Sequence, residues 1–256
     1  MGVILALLLS LIMSCSGFDT EIKKNDIVSF NNPLAILGDF HNQAMDSLVY
    51  YKVSLDNLES VSFEFVERKF LQYYEIPKET ITDYQKDFLS MIKQQAIEKK
   101  DHQQTRAELY NELGEMTAEM SKVEIAFIND IFSLIIDGIS DISEINNTFS
   151  KIDSDINAST ELTQDEKNGL WAVSAIARAS YEYNVNNGQT RAATLEGVVT
   201  TDAQAALAGL VSWRRVAKTV ASGLVFGPTG IVVAVAKEMA YSAIVGSGIY
   251  FCCELI

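Results

Sequence analysis

Ile128, Ile131, Ile135, Gly138, Ile142, Ile145, Phe149, Ile152 and Ile156 recur at alternating spacings of three and four. That is the period of a helical heptad seam, with one glycine where a large residue belongs. Phe127, Phe132, Leu134, Ile136 and Ile139 make its first half apolar nearly all round, which predicts burial. Asp141, Asp153 and Asp155 flank the second half with a single sign of charge. The complementary pairs that fix a coiled-coil dimer are missing, so an intramolecular bundle is expected.

Other segments follow the same period. Leu37, His41, Met45 and Leu48 recur about once per helical turn after Pro33, with Asn31 and Asn32 as candidate caps. A second helical segment covers Val61–Tyr74 and stops before Pro77. Thr82…Gln85, Ser121…Glu124 and Thr163…Glu166 are capping boxes, in which a hydroxyl and a carboxyl or amide satisfy the free donors of a helix start. Lys93–Gln104 is polar and reads as a solvated helical face or a connection. Leu170, Val173, Ala177 and Tyr181 form a further stripe, predicted to end in the Asn184–Gly188 turn. Ser62–Val66 and Glu196–Thr201 have weak strand character and are short. The expectation is an all-α fold: a bundle of about six to eight helices closed by a C-terminal hairpin.

Composition supports an ordered helical chain, with only three prolines and 48% apolar residues among 256. The net charge of −14 excludes nucleic acid as a partner, because phosphate binding needs clustered Lys and Arg. From Ala203 onward the basic residues Arg214, Arg215, Lys218 and Lys237 outnumber the acidic Glu238 and Glu254. The acidity therefore belongs to the first 202 residues. Cysteines occur only at Cys15 and in the adjacent pair Cys252-Cys253, too few for a disulfide framework or a spaced metal site.

The chain begins with an apolar run, Val3–Met13, interrupted only by Ser10 and ending in Ser14-Cys15. A membrane span needs about 20 apolar residues, so this length fits a signal peptide better. By residue chemistry alone, cleavage after Ser16 or retention as an uncleaved anchor are alternatives. Leu11-Ile12-Met13-Ser14-Cys15 resembles the lipobox of bacterial lipoproteins. That resemblance implies a diacylglycerol on the Cys15 thiol, cleavage just before it, and a mature chain held on a membrane of the bacterial cell envelope. The organisation expected is then a signal peptide over 1–14, a polar tether over 15–33, an acidic helical bundle over 34–200 and an apolar hairpin over 201–256.

That hairpin comprises Asp202–Phe226 and Ile231–Phe251 around Gly227-Pro228-Thr229-Gly230. Small residues four apart (Ala205/Gly209, Ala217/Ala221, Ala236/Ala240, Ser242/Gly246) allow close helix approach, as in membranes. Arg214, Arg215 and Lys218 in the first helix oppose a spanning hairpin, since each costs about 2.5–3.5 kcal/mol at a bilayer centre. Packing on the acidic bundle, with Arg214 and Arg215 meeting its surface, and insertion into a bilayer both remain open. The segment also resembles, by composition, hydrophobic segments of bacteriocin-like peptides, which implies a membrane-active effector as the alternative function.

Candidate chemistry is sparse. His41, Asn42 and Asp46 could form a small polar site, although a histidine on an apolar stripe is more often structural. Asp153, Asp155, Asn157 and Glu161 fall at the oxygen-ligand positions of an EF-hand loop. The loop lacks its glycine (Ala158) and its closing glutamate (Gln164), features that tight calcium binding requires. Only His41 and His102 could serve as imidazole bases, and no nucleophile, metal or phosphate motif accompanies them. The expectation is a non-enzymatic binding or scaffolding protein with no cofactor, held on the membrane by its lipid and acting on an envelope protein partner.

Overall fold

Asn32 starts the fold with a local turn and long-range bonds at once. Its Oδ1 accepts from the Leu34 amide at 2.9 Å, and its Nδ2 donates to Asp153 Oδ2 at 3.1 Å and the Trp171 carbonyl at 3.0 Å. In the computed structural model the residues described are 32–75, 78, 81–101, 105–137, 142–187, 195–220 and 228–252. Cys15, the tether up to Asn31, His102 and the 221–227 turn region lie outside them, as do the side chains of Arg214, Arg215 and Lys218.

Nine α-helices and no strand occur among the described residues. They are α1 (Ile36–Tyr51), α2 (Leu58–Tyr74), α3 (Asp83–Asp101), α4 (Arg106–Met116), α5 (Lys122–Asp137), α6 (Ile142–Ala158), α7 (Gln164–Asn187), α8 (Leu195–Val220) and α9 (Pro228–Cys252). The all-α expectation holds, and the count exceeds six to eight for two local reasons. The heptad seam is shared by two helices, α5 and α6, with Gly138 in the interval between them. A fourth capping box also starts α4: the Glu108 amide donates to Thr105 Oγ1 at 3.3 Å, and the Thr105 amide to Glu108 Oε2 at 2.6 Å. The three boxes read from the sequence form as expected, with their side-chain and backbone bonds between 2.7 and 3.3 Å.

The predicted stripes are the buried ones. Leu37, Met45 and Leu48 on α1 are at most 2% exposed, and Ile128, Ile131, Ile145, Phe149 and Ile156 at most 1%. The two weak strand candidates lie in helices α2 and α8, where long-range packing overrides a short β-branched run.

Helix α9 occupies the middle. Its apolar residues point to all sides, and every residue from Ala236 to Ile249, Lys237 and Glu238 included, is buried. It packs on α8 most extensively, and also on α1, α2, α3 and α7. Burying a side chain such as Met239, Ile244 or Ile249 stabilises by about 1.5–3 kcal/mol. The small-residue pairs set the α8–α9 distance. A methyl group added at Gly209 would lie 2.9 Å from the Glu238 carbonyl oxygen and the Met239 Cα, and one at Gly246 would lie 3.0 Å from Ala205 Cβ. The two helices thus run antiparallel with their backbones nearly touching.

Candidate functional site

His41 does not stand alone. It projects from the second turn of α1 into a set of polar side chains buried between α1, α7, α8 and α9. Nε2 lies 2.7 Å from Ser247 Oγ and 3.3 Å from Asp202 Oδ2, while Nδ1 lies 3.0 Å from Asn42 Oδ1. Ser247 Oγ donates to Asp202 Oδ1, and Ser180 Oγ donates to Asp202 Oδ2. Asn184 Nδ2 closes the set by donating to the Ser180 carbonyl at 2.8 Å. His41 is 2% exposed, and Asp202, Ser180 and Ser247 are 0% exposed.

The protonation state follows from the donors. Both serine protons go to the carboxylate, so Nε2 faces oxygen lone pairs and must carry a hydrogen. Nδ1 faces an amide oxygen and must carry one as well. A ring carrying both hydrogens serves all of these oxygens, with Nε2 3.3 Å from Asp202 Oδ2. Burial alone lowers the histidine pKa, but the hydrogen bond and charge of Asp202, followed by the Asn42 bond, raise it above its ordinary 6.5.

This wiring is not that of a nucleophilic triad. There the carboxylate holds Nδ1 and a neutral Nε2 takes the serine proton. Here Ser247 and Asp202 share the Nε2 side, the serine gives its proton to the carboxylate, and all three side chains are buried. What the arrangement does is tie four helices together through one charge pair with satisfied hydrogen bonds.

A second buried charge pair anchors the other half of α9. Lys237 Nζ lies 2.7 Å from Glu67 Oε1 and 6.0 Å from the centre of the Phe70 ring, and the Tyr241 hydroxyl donates to the same carboxylate oxygen. Tyr241 stacks on Phe63 with ring centres 5.0 Å apart. The neighbouring Glu238 has its pKa raised to about 7 by burial, a shift that Gln85 only partly opposes. Burial likewise raises Asp153 to about 6, opposed by the neighbouring Ser174 hydroxyl, the hydrogen bond from Asn32 and the charge of Arg178.

Among the residues singled out in the sequence, the structure brings His41 and Asn42 together. Asp46 is exposed one turn further along α1, where it accepts a 2.9 Å hydrogen bond from Tyr183. The EF-hand-like spacing does not produce a loop: Asp153 to Ala158 are the last turns of α6, and Asp153 points into the core toward Asn32. Among the described residues no group of three or more His, Cys, Asp or Glu side chains is placed to hold a metal ion. A cavity of about 20 Å³ lies between α3, α4, α8 and α9, bordered by Ile92, Glu112, Thr201, Gln204 and Gly246. It has room for one water.

The partners of His41 carried only a faint signal. Asp202 heads an apolar run, Ser180 interrupts an alanine-rich one, and Ser247 sits between two glycines. Each is a polar residue at an apolar position, and nothing local pairs them. No protein-family model matches the sequence, and neither a curated protein nor a solved structure is similar to it. The class of molecule stated by its geometry alone is a helical unit with a charged clasp sealed in its core.

The buried groups set a direction for stability against pH. His41, Asp153 and Glu238 all have folded pKa values above their ordinary ones. Each contributes stability that is complete below its ordinary pKa and is lost as pH rises through the raised value. The windows are 4.5 to about 7 for Glu238, 3.8 to about 6 for Asp153, and above 6.5 for His41. The melting temperature is therefore expected to be higher near pH 6 than near pH 8, and Glu238→Gln to flatten that slope. A scanning-calorimetry series in which the protein melts higher at the alkaline end would contradict this assignment.

Proposed function

We propose that the chain is a lipid-anchored protein of a bacterial cell envelope that acts through binding or scaffolding rather than catalysis. The observation that carries the non-catalytic part is the His41–Asp202–Ser247 group, which is sealed from solvent and wired as a clasp. The lipobox-like Leu11–Cys15 supports the anchor. The acidic helices would present the interaction surface to an envelope protein. The test is intact mass and detergent partitioning of the chain made in a bacterium, beside Cys15→Ser. A diacylglycerol mass on a chain beginning at Cys15, absent from the variant, is the expected result. An unlipidated chain cut near Gly17 removes the anchor from the proposal.

A membrane-active effector is the second reading, favoured by the position of α9, an apolar helix stored inside a helical shell. Lys237 and Glu238 weigh against it. Each would leave fixed surroundings and cost about 2.5–3.5 kcal/mol at a bilayer centre. Among the described residues no helix is long and apolar enough to cross a membrane. Dye release from liposomes that requires residues 203–256 would put the effector reading first.

A further inference from the structure

We propose that Asn157 is an acceptor for N-linked glycosylation, taking an oligosaccharide from a polyprenyl-pyrophosphate donor on the far side of the membrane that the chain crosses; this rests on the export part of the reading above. Asn157-Ala158-Ser159 is an Asn-x-Ser acceptor pattern. Asp155 stands two positions before the asparagine, where bacterial oligosaccharyltransferases read a carboxylate. Glu144-Ile145-Asn146-Asn147-Thr148 repeats the pattern in the first half of the same helix, α6. The sequence alone does not choose between the two asparagines.

The fold does. Asn146 is half-buried, and its Oδ1 accepts from Arg178 Nε at 2.9 Å. The Thr148 hydroxyl donates to the Glu144 carbonyl at 2.9 Å within the helix. Both groups that a transferase must grip are thus committed to the bundle. Asn157 is exposed in the last turn of α6, and its side chain makes no hydrogen bond among the described residues. Ser159 lies just past the helix, in the short connection to the Thr163 cap. Asp155 is 53% exposed, and its 3.2 Å pair with Lys151 is a surface one that a transferase can replace.

The backbone can present the acceptor. The helix ends with the Ser159 amide shared between the Asp155 and Ile156 carbonyls at 3.0 and 3.3 Å, and terminal turns open at small cost. In extended backbone alternate residues point to opposite sides. Asp155, Asn157 and Ser159 then face outward together, while Ile156, 0% exposed, keeps its seat in the core. The step is a substitution at the anomeric carbon of the donor sugar. The Asn157 amide nitrogen bonds to that carbon, the bond from it to the pyrophosphate oxygen breaks, and polyprenyl pyrophosphate leaves. The amide proton passes to a base of the transferase. A glycan at this position projects from the end of α6 without displacing a buried side chain.

The experiment makes the full chain in a bacterium supplied with an N-oligosaccharyltransferase and its lipid-linked oligosaccharide. Intact mass and glycopeptide mass spectrometry then place the glycan. The expected result is a single glycan on Asn157, abolished in Asn157→Gln and Ser159→Ala, reduced several-fold in Asp155→Asn and retained in Asn146→Gln. Unchanged circular dichroism shows that a variant has lost the glycan and not the fold. No glycan on the unaltered chain, or a glycan on Asn146, overturns the proposal. Cleavage by protease added to spheroplasts reports on export separately. If the chain is sheltered from it, the export reading has failed, and purified transferase acting in detergent on the folded chain must still modify Asn157 or the proposal falls too.

Discussion

Replacing Asp202 with alanine is expected to lower the unfolding free energy by about 3–5 kcal/mol, the range for removing one partner of a buried charge pair. The carboxylate accepts from Ser180 and Ser247 and faces the His41 imidazolium. Its loss strands two hydroxyls and a cation in a site with no water access. The ring would respond by losing its proton, so the variant should also lose the part of its pH dependence that belongs to His41. Urea denaturation followed by circular dichroism measures the first effect, and repeating it near pH 6 and pH 8 measures the second. A loss below about 1 kcal/mol, the worth of an ordinary hydrogen bond, would mean that the clasp is not the closed network it looks like.

Lys237→Met is the second large case, again expected to cost about 3–5 kcal/mol. Glu67 would keep the Tyr241 hydroxyl but lose its cation in a site 1% exposed. The double variant Glu67→Leu with Lys237→Met should recover most of the loss, because removing both charges also removes their desolvation cost. A double-mutant cycle separates the pair from simple packing. If the double variant is as unstable as the sum of the singles, the two side chains do not act as a pair.

These effects concern the features least visible in the sequence. The stripe Leu37–Met45–Leu48, the seam Ile128–Ile156 and the capping boxes were legible because helix period and caps are local, written within a few residues. Thr105…Glu108 is the same local motif, yet it sits at the edge of a polar stretch with no apolar run to announce it. His41 was visible as a candidate and Ser247 was not. The two are 206 positions apart, and only the tertiary fold makes them neighbours. The EF-hand-like spacing misled for a related reason. Its acidic residues match a loop by count, but Ile152 and Ile156 are buried and hold that stretch to the helical seam.

The place of α9 has a consequence for the order in which the molecule is made. The helix that every neighbour packs around is the last of the nine to leave the ribosome. Until it arrives, α1, α2, α3, α7 and α8 each keep an apolar face uncovered, the His41–Asp202 pair lacks Ser247, and Glu67 lacks both Lys237 and Tyr241. Contacts such as His41 with Ser247 and Glu67 with Tyr241 join distant ends of the chain, which slows folding. A chain so ordered stays open through most of its synthesis and locks late. That leaves its unfinished forms the most exposed to aggregation and proteolysis.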